Sequence, residues 1–173
     1  EKEVSGKTPR IGVFACTCGK TLLKTIDVPA LVKQAALLPE VAMAEMVDFA
    51  CFPEFQQHMI DKIREEDLNR VVIAACSNRT HESHFQRTAR QAGLNPYLLE
   101  MVNLREQCGF AHRNQPARAN RKAQELMRVA VGRAALARPV HKERHRCQPS
   151  ALVIGGGVSG MTAALAIADS GYD

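Results

Sequence analysis

The sequence predicts an α/β protein built from β-α repeats, in which helices flank a parallel β-sheet. Three observations lead to this prediction. Short apolar runs typical of buried strands recur along the chain, helical patterns separate them, and a cysteine follows four of these runs. Ligands of a parallel sheet lie outside the carboxyl ends of its strands. Most of the cysteines are therefore expected along one edge of the sheet.

The strands and helices are expected to alternate in the order β-α-β-α-β-α-β-α. The strands are predicted at residues 11–15, 41–50, 71–75 and 97–102. The cysteines at or beyond their carboxyl ends are Cys16, Cys18, Cys51, Cys76 and Cys108.

Helix-start and helix-stop residues lie between these strands. Asp27 is a typical N-cap residue, Pro53 and Pro116 suit a first turn, and Gly93 suits the position after a last turn. Helices are predicted at 27–39, from 53, at 82–92 and from 114.

Length and composition are those of one domain and the start of another, since the chain has 173 residues. The expected parts are a polar tail at 1–9, a cysteine-rich domain at 10–137, a linker at 138–150 and an incomplete second domain at 151–173. No apolar stretch reaches the roughly 20 residues needed to cross a bilayer. With no recognisable signal peptide, we expect a cytoplasmic protein without direct membrane insertion.

The net charge of +5 raises the question of nucleic acid. Much of the excess lies between Arg113 and Arg146, where the basic residues are spaced through a helical pattern that has its own apolar side. Aromatic stacking residues are missing among them. We therefore interpret these basic residues as a solvated helix face and do not expect nucleic acid to bind. A docking surface for an acidic protein partner is the remaining alternative.

A glycine-rich motif opens the second predicted domain. The run at 151–154 suits a buried strand, and a small-residue helix follows at about 161–170. In the G-x-G-x-x-G motif between them, Gly155 permits a tight turn, Gly157 lets a pyrophosphate approach and Gly160 permits close packing. A dinucleotide-binding unit is predicted.

Clustered cysteines of an intracellular protein are typically metal ligands or redox groups. By spacing alone, a metal site and a set of isolated buried thiols are equally well supported. The metal would be zinc or an iron-sulfur cluster. The placement of the cysteines at strand ends favours the metal site. Backbone N–H groups around Gly19, Ser77 and Gly109 are expected to contact cluster sulfurs. Cys147 is interpreted as a linker thiol.

Three histidines lie near the cysteine motifs. His81 and His84 are expected to cap or line the third helix, and His112 lies near Cys108. A nucleophilic enzyme that uses Cys76 with His81 is a weaker alternative, because no orienting third group is recognisable.

Several long runs resemble the N-terminal region of the A subunit of heterodisulfide reductase, and the resemblance extends over nearly the whole chain from Arg10. The runs are LNRVVIAACS at 68–77, RTHE at 79–82, AGLNPYL at 92–98, NLREQC at 103–108 and ALVIGGGVSGMTAAL at 151–165.

The resemblance implies an iron-sulfur flavoprotein, an oxidoreductase whose [4Fe-4S] cluster relays electrons to or from FAD. Of the FAD domain only the opening is expected here, so this stretch alone is not expected to be catalytic. Four of the five cysteines would ligate the cluster, with Cys16 or Cys108 spared. The implied partners are other heterodisulfide reductase subunits and hydrogenase or dehydrogenase modules.

The chain departs from the usual motifs of that family in four places. The first cysteine motif reads Cys16-Thr17-Cys18-Gly19 without the usual histidine, and Phe52 follows Cys51 where serine is common. Phe110 replaces a tryptophan, and two usual prolines are absent. Those two positions are Asn78 and Ser83.

An alternative to the electron-transfer function is also considered. In it, the chain is a non-catalytic docking domain of a redox complex, and it holds a structural metal or no metal.

Overall fold

A four-stranded parallel sheet forms the centre of the protein. The computed structural model describes residues 1–143 and 145–172. The strands are β1 (Ile11–Cys16), β2 (Val41–Val47), β3 (Arg70–Ala75) and β4 (Leu99–Asn103), in the spatial order β2-β1-β3-β4. All neighbouring strands are parallel. The predicted fold class is confirmed.

Helices follow the strands as the sequence predicted. They are α1 (Val28–Ala35), α2 (Pro53–Glu65), α3 (Asn78–Gln91), α4 (Pro116–Leu136) and α5 (Val158–Asp169). Asp27 caps α1, because its Oδ1 accepts a hydrogen bond of 2.9 Å from the Ala30 amide. Gly93 follows α3 with φ +89°, a conformation that glycine adopts without steric cost. A π-helical turn at Arg105–Phe110 lies between β4 and α4.

Two hydrophobic layers pack on opposite faces of the sheet. Successive residues of a strand point to opposite faces, so Val13 belongs to one layer and its neighbour Phe14 to the other. Helices α1 and α4 cover the first face, and α2 and α3 supply the second layer. The central strands are buried throughout, as expected of a parallel sheet covered on both sides.

Several predicted boundaries were wrong by a few residues, and three of them have a clear physical reason. Strand β2 ends at Val47 instead of residue 50, because Val47 pairs with Cys16, the last residue of β1. Helix α1 ends at Ala35, before Pro39, whose ring disfavours helical backbone at the residue before it. Helix α3 begins at Asn78 instead of residue 82, since the Ser77 side chain caps it.

The chain divides into one compact unit at Glu1–Val140 and another at His141–Asp173. In the second unit α5 follows the glycine motif, but the strand predicted at 151–154 is not formed. A strand is defined by hydrogen bonds to a neighbouring strand, and no described residue supplies one. The predicted linker and second domain include residues 144 and 173, which lie outside the described residues. Among the described residues, every helix is too short or too polar to span a bilayer.

Candidate metal centre

The carboxyl ends of β1 and β3 open onto a cavity of about 220 Å³. The chain leaves β1 toward β2 on one side and returns to β3 on the other. Such a reversal leaves a crevice in which parallel sheets bind ligands. We call this the cysteine cavity. Its described lining comprises Cys16, Cys18, Phe49, Ala50, Cys51, Phe52, Ala75, Cys76, His81, Phe85 and Arg105.

Four predicted cysteines thus line one cavity, and they come from the end of β1, the turn after it, the start of α2 and the end of β3. Cys16 is the last residue of β1, Cys18 follows in the turn, Cys51 precedes α2, and Cys76 directly follows β3. Cys16 and Cys76 are almost fully buried, whereas Cys18 and Cys51 are partly exposed. The strand-end pattern therefore brings these four thiols to one place.

Local backbone geometry turns Cys18 back toward Cys16. Cys18 has φ +50°, and the two Sγ atoms lie 3.8 Å apart. The intervening Thr17 is buried, and its hydroxyl donates a 2.9 Å hydrogen bond to Asp48 Oδ1. The loop after β1 is thus fixed to the loop after β2, so both cysteines stay at the cavity.

Two backbone amides donate to the Cys16 sulfur. The amide of Cys18 lies 3.2 Å from it and the amide of Ala50 lies 3.4 Å from it. Hydrogen bonds of this kind stabilise a thiolate. The side-chain hydrogen bond with Cys18 is the main cause that lowers the pKa of Cys16 to about 6; burial opposes this change and the two amides support it. The same pairing raises the pKa of Cys18, so it favours the thiolate form at Cys16.

The amides predicted to contact sulfur do so only in part: that of Cys18, next to Gly19, donates to Cys16, whereas those of Gly19 and Gly109 are engaged elsewhere. The Gly19 amide donates to the Asp48 carbonyl at 2.9 Å, and the Gly109 amide donates to the Leu104 carbonyl at 2.8 Å. Ser77 contributes its hydroxyl as the cap of α3. The prediction was therefore wrong for Gly19 and Gly109, because turn closure uses their N–H groups.

The outer wall of the cysteine cavity is aromatic. Phe49 and Phe52 stack with ring centroids 4.6 Å apart, and each is about half exposed. A Cβ atom on Gly19 would lie 2.5 Å from the Phe49 ring, so only glycine permits this approach. Phe85 closes the inner side and is fully buried. Apolar walls of this kind limit the access of water to the thiols.

Cys108 does not line the cysteine cavity. It lies in the π-helical turn and is fully buried in the hydrophobic layer beneath α1 and α4. Burial raises its pKa, which is typical of an inert structural thiol. The turn therefore separates Cys108 from the other four cysteines. Cys147 lies exposed in the second unit.

The histidines near the thiols lie on α3, as the sequence predicted. His81 also lines the cysteine cavity. No described residue forms a hydrogen bond with its ring, so no orienting group for a Cys76–His81 pair is seen. His84 also lies on α3, and burial lowers its pKa. Arg105 lines the cavity and was missed, because nothing in its sequence context distinguishes it from surface arginines.

The size and donor chemistry of the cysteine cavity fit an iron-sulfur cluster. Soft thiolates are the donors that such clusters require. The volume of about 220 Å³ is several times the ~30 Å³ that one water molecule occupies in the liquid. Among the described residues, no three His, Cys, Asp or Glu side chains converge on a position for a single metal ion.

The glycine motif of the second unit leaves part of its backbone open. Gly155 has φ +118°, in the region that favours glycine. A Cβ on Gly160 would overlap the carbonyl oxygen of Gly155, whereas a Cβ on Gly157 would meet open space. Gly157 is the N-cap of α5, so an open backbone lies at the positive end of that helix.

Sequence comparisons identify relatives over almost the entire chain, although no protein-family model matches it. The A subunit of the ferredoxin/F420H2-dependent CoB-CoM heterodisulfide reductase of Methanosarcina acetivorans is 44% identical over 94% of the chain. An iron-sulfur A subunit of the CoB-CoM heterodisulfide reductase of Methanopyrus kandleri is 43% identical over 94%. The A subunit of the H2:CoB-CoM heterodisulfide, ferredoxin reductase of Methanothermobacter thermautotrophicus is 42% identical over 99%.

The chain spans about a quarter or less of the length of these relatives, since the matched shares are 21%, 24% and 26%. The resemblance deduced from the sequence motifs is thereby confirmed. These identities show that the chain is homologous to a part of heterodisulfide reductase A subunits, and the relative from Methanopyrus kandleri is named an iron-sulfur subunit.

Proposed function

We propose that the chain is an electron-transfer module whose four cavity cysteines hold a [4Fe-4S] cluster. The ligands are Cys16, Cys18, Cys51 and Cys76. A cluster bound there would accept and release single electrons, in exchange with an FAD of the complete protein. Cys108 is the spared cysteine in this proposal.

One observation supports the ligand set above all others: four thiols line one cavity and the fifth does not. Alternative sets that include Cys108 require it to leave the hydrophobic layer beneath α1 and α4, in which it is fully buried. Such a move would also separate the π-helical turn from Leu22. The Leu22 side chain packs so close to Gly109 that a Cβ atom added there would lie 2.7 Å from it. The folded chain therefore favours the set without Cys108.

The chain itself supplies binding and electrostatics. Amides of Cys18 and Ala50 donate to the sulfur of Cys16, and such donors stabilise negative charge on sulfur. The aromatic pair Phe49 and Phe52 restricts water at the outer wall. Hydrogen bonding and solvent exposure are among the factors that set cluster potentials, so these residues tune electron transfer.

Metal and sulfide analysis of anaerobically reconstituted protein tests the proposal. We expect about four iron atoms and about four acid-labile sulfides per chain, with brown visible absorption. Zinc in their place, or folded protein without metal after reconstitution, would instead support a docking domain. Zinc sites are colourless and redox-silent, so absorption alone separates the two functions.

We also propose that Gly155, Gly157 and Gly160 belong to the pyrophosphate-binding loop of an FAD site. The Gly157→Val variant, made in the protein at its full natural length, is expected to lose most of its flavin, because the side chain would occupy the open backbone at the start of α5. Flavin released by heat denaturation gives the content.

Gly132→Ala is the matched control, since a Cβ there also meets open space but lies within α4 of the first unit. Its flavin content should equal that of the unaltered protein. Full flavin in Gly157→Val would contradict the proposed loop.

The relatives are named as subunits, and we propose that this chain also works within a multisubunit complex. Its partners would be other heterodisulfide reductase subunits and hydrogenase or dehydrogenase modules that deliver or remove electrons. Copurification of the untagged partners with the tagged protein from its native host tests this assignment.

A further inference from the structure

Arg105 is a positively charged side chain at the wall of the cysteine cavity. Among the described lining residues it is the only one with a permanent charge. It follows β4 as the first residue of the π-helical turn, and its side chain is 34% exposed. The guanidinium is therefore only partly exposed at the cavity wall, where its electrostatic effect on the cavity is only partly screened.

Glu106 holds this guanidinium in place. Its Oε1 accepts from Arg105 Nε and also lies 2.8 Å from Arg105 Nη2. The backbone of Glu106 is fixed in turn, since its amide donates a 3.0 Å hydrogen bond to Asn103 Oδ1 at the end of β4. No described residue accepts a hydrogen bond from Arg105 Nη1. The cation is thus oriented while one of its donor groups stays available.

The two charges have opposite effects on a negative charge placed in the cysteine cavity. Arg105 lines the cavity and attracts such a charge. Glu106 contacts Arg105 without lining the cavity, so it opposes this attraction from slightly farther away.

We propose that Arg105 and Glu106 form an opposed charge pair that sets the reduction potential of the cluster in the cysteine cavity. This inference rests on the proposed cluster. One-electron reduction adds one negative charge to the cavity, and a reductant such as dithionite supplies the electron. Arg105 stabilises the reduced form and raises the potential, while Glu106 limits this effect.

Redox titration followed by EPR tests the pair. The Arg105→Gln variant is expected to lower the reduction equilibrium constant by up to tenfold, which equals about 59 mV for one electron. Arg105→Lys keeps the charge and should retain most of the original potential. Glu106→Gln should raise the potential, by roughly threefold in the equilibrium constant, because its site is partly exposed.

Arg121→Gln is the matched control, because Arg121 is exposed on α4 and does not line the cysteine cavity. Its potential should equal that of the unaltered protein. Iron and sulfide are measured in every variant. If Arg105→Gln loses its iron, the Glu106→Gln variant tests the inference instead. A higher cluster potential in Glu106→Gln than in the unaltered protein supports the charge pair, and an equal potential overturns it.

Two further results would overturn the inference. Equal potentials in Arg105→Gln and the unaltered protein, with full iron in both, would show that the charge has no effect while leaving the cluster itself intact. Absence of a cluster from the unaltered protein would overturn the proposed function together with the inference. The iron content therefore distinguishes these two failures.

Discussion

Replacement of Cys76 by alanine is expected to lower bound iron from about four atoms per chain to below one, because a cubane cluster needs about four thiolates. Cys76 directly follows β3 and is 5% exposed in the cysteine cavity. Removing its sulfur leaves three thiols there. Iron and acid-labile sulfide, measured after anaerobic reconstitution, give the result.

Two cysteine variants serve as controls for Cys76→Ala. Cys147→Ala removes an exposed thiol of the second unit, and Cys108→Ala removes a thiol buried beneath α1 and α4. Both should retain about four iron atoms per chain. Loss of iron from Cys108→Ala, with circular dichroism showing an intact fold, would contradict the proposed ligand set.

The Phe14→Ala variant is expected to lose about 3 to 5 kcal/mol of unfolding free energy, the usual cost of removing a buried phenylalanine ring. Phe14 lies in the central strand β1 and is fully buried. Its ring meets Phe55 of α2 edge-on, with centroids 5.3 Å apart. Alanine would leave a cavity between the sheet and α2.

Urea unfolding of the metal-free, reduced protein measures this loss. The chain has no tryptophan, so circular dichroism is the suitable signal. Leu37→Ala is the control, because Leu37 is 85% exposed and the change should stay within about 0.5 kcal/mol. A loss below about 1 kcal/mol for Phe14→Ala would contradict the central position of β1.

The sheet was predictable because its strands carry a strong local signal. The runs in β1 and β3 are apolar at nearly every position, as expected of strands covered on both faces. Strand ends were less predictable. The end of β2 depends on where its partner β1 stops, since Val47 pairs with Cys16, and pairing of this kind is invisible in the local sequence.

The candidate site was predicted in part. Strand-end placement correctly indicated that Cys16, Cys18, Cys51 and Cys76 would meet at one edge of the sheet. Cys108 was expected with them but is buried in the layer beneath α1 and α4 and does not line the cavity, because a π-helical turn follows β4. No residue pattern indicated that turn, so the sequence left the spared cysteine undecided.

The polar surroundings of the thiols depended on loop closure. Turn glycines were expected to donate to sulfur, yet the Gly19 amide closes the loop against Asp48, and Ala50 donates to Cys16 in its place. Arg105 reaches the cavity through the same π-helical turn that removes Cys108. Contacts between distant loops follow from the folded sheet edge, so local sequence could not assign them.

EPR spectroscopy of the anaerobically reconstituted chain, before and after reduction by dithionite, is the most direct test of the electron-transfer proposal. We expect a silent oxidised state, a signal from the reduced protein of about one spin per four iron atoms, and its reversible loss on reoxidation. Folded protein that contains iron and sulfide but gives no reversible signal would contradict a role in electron relay.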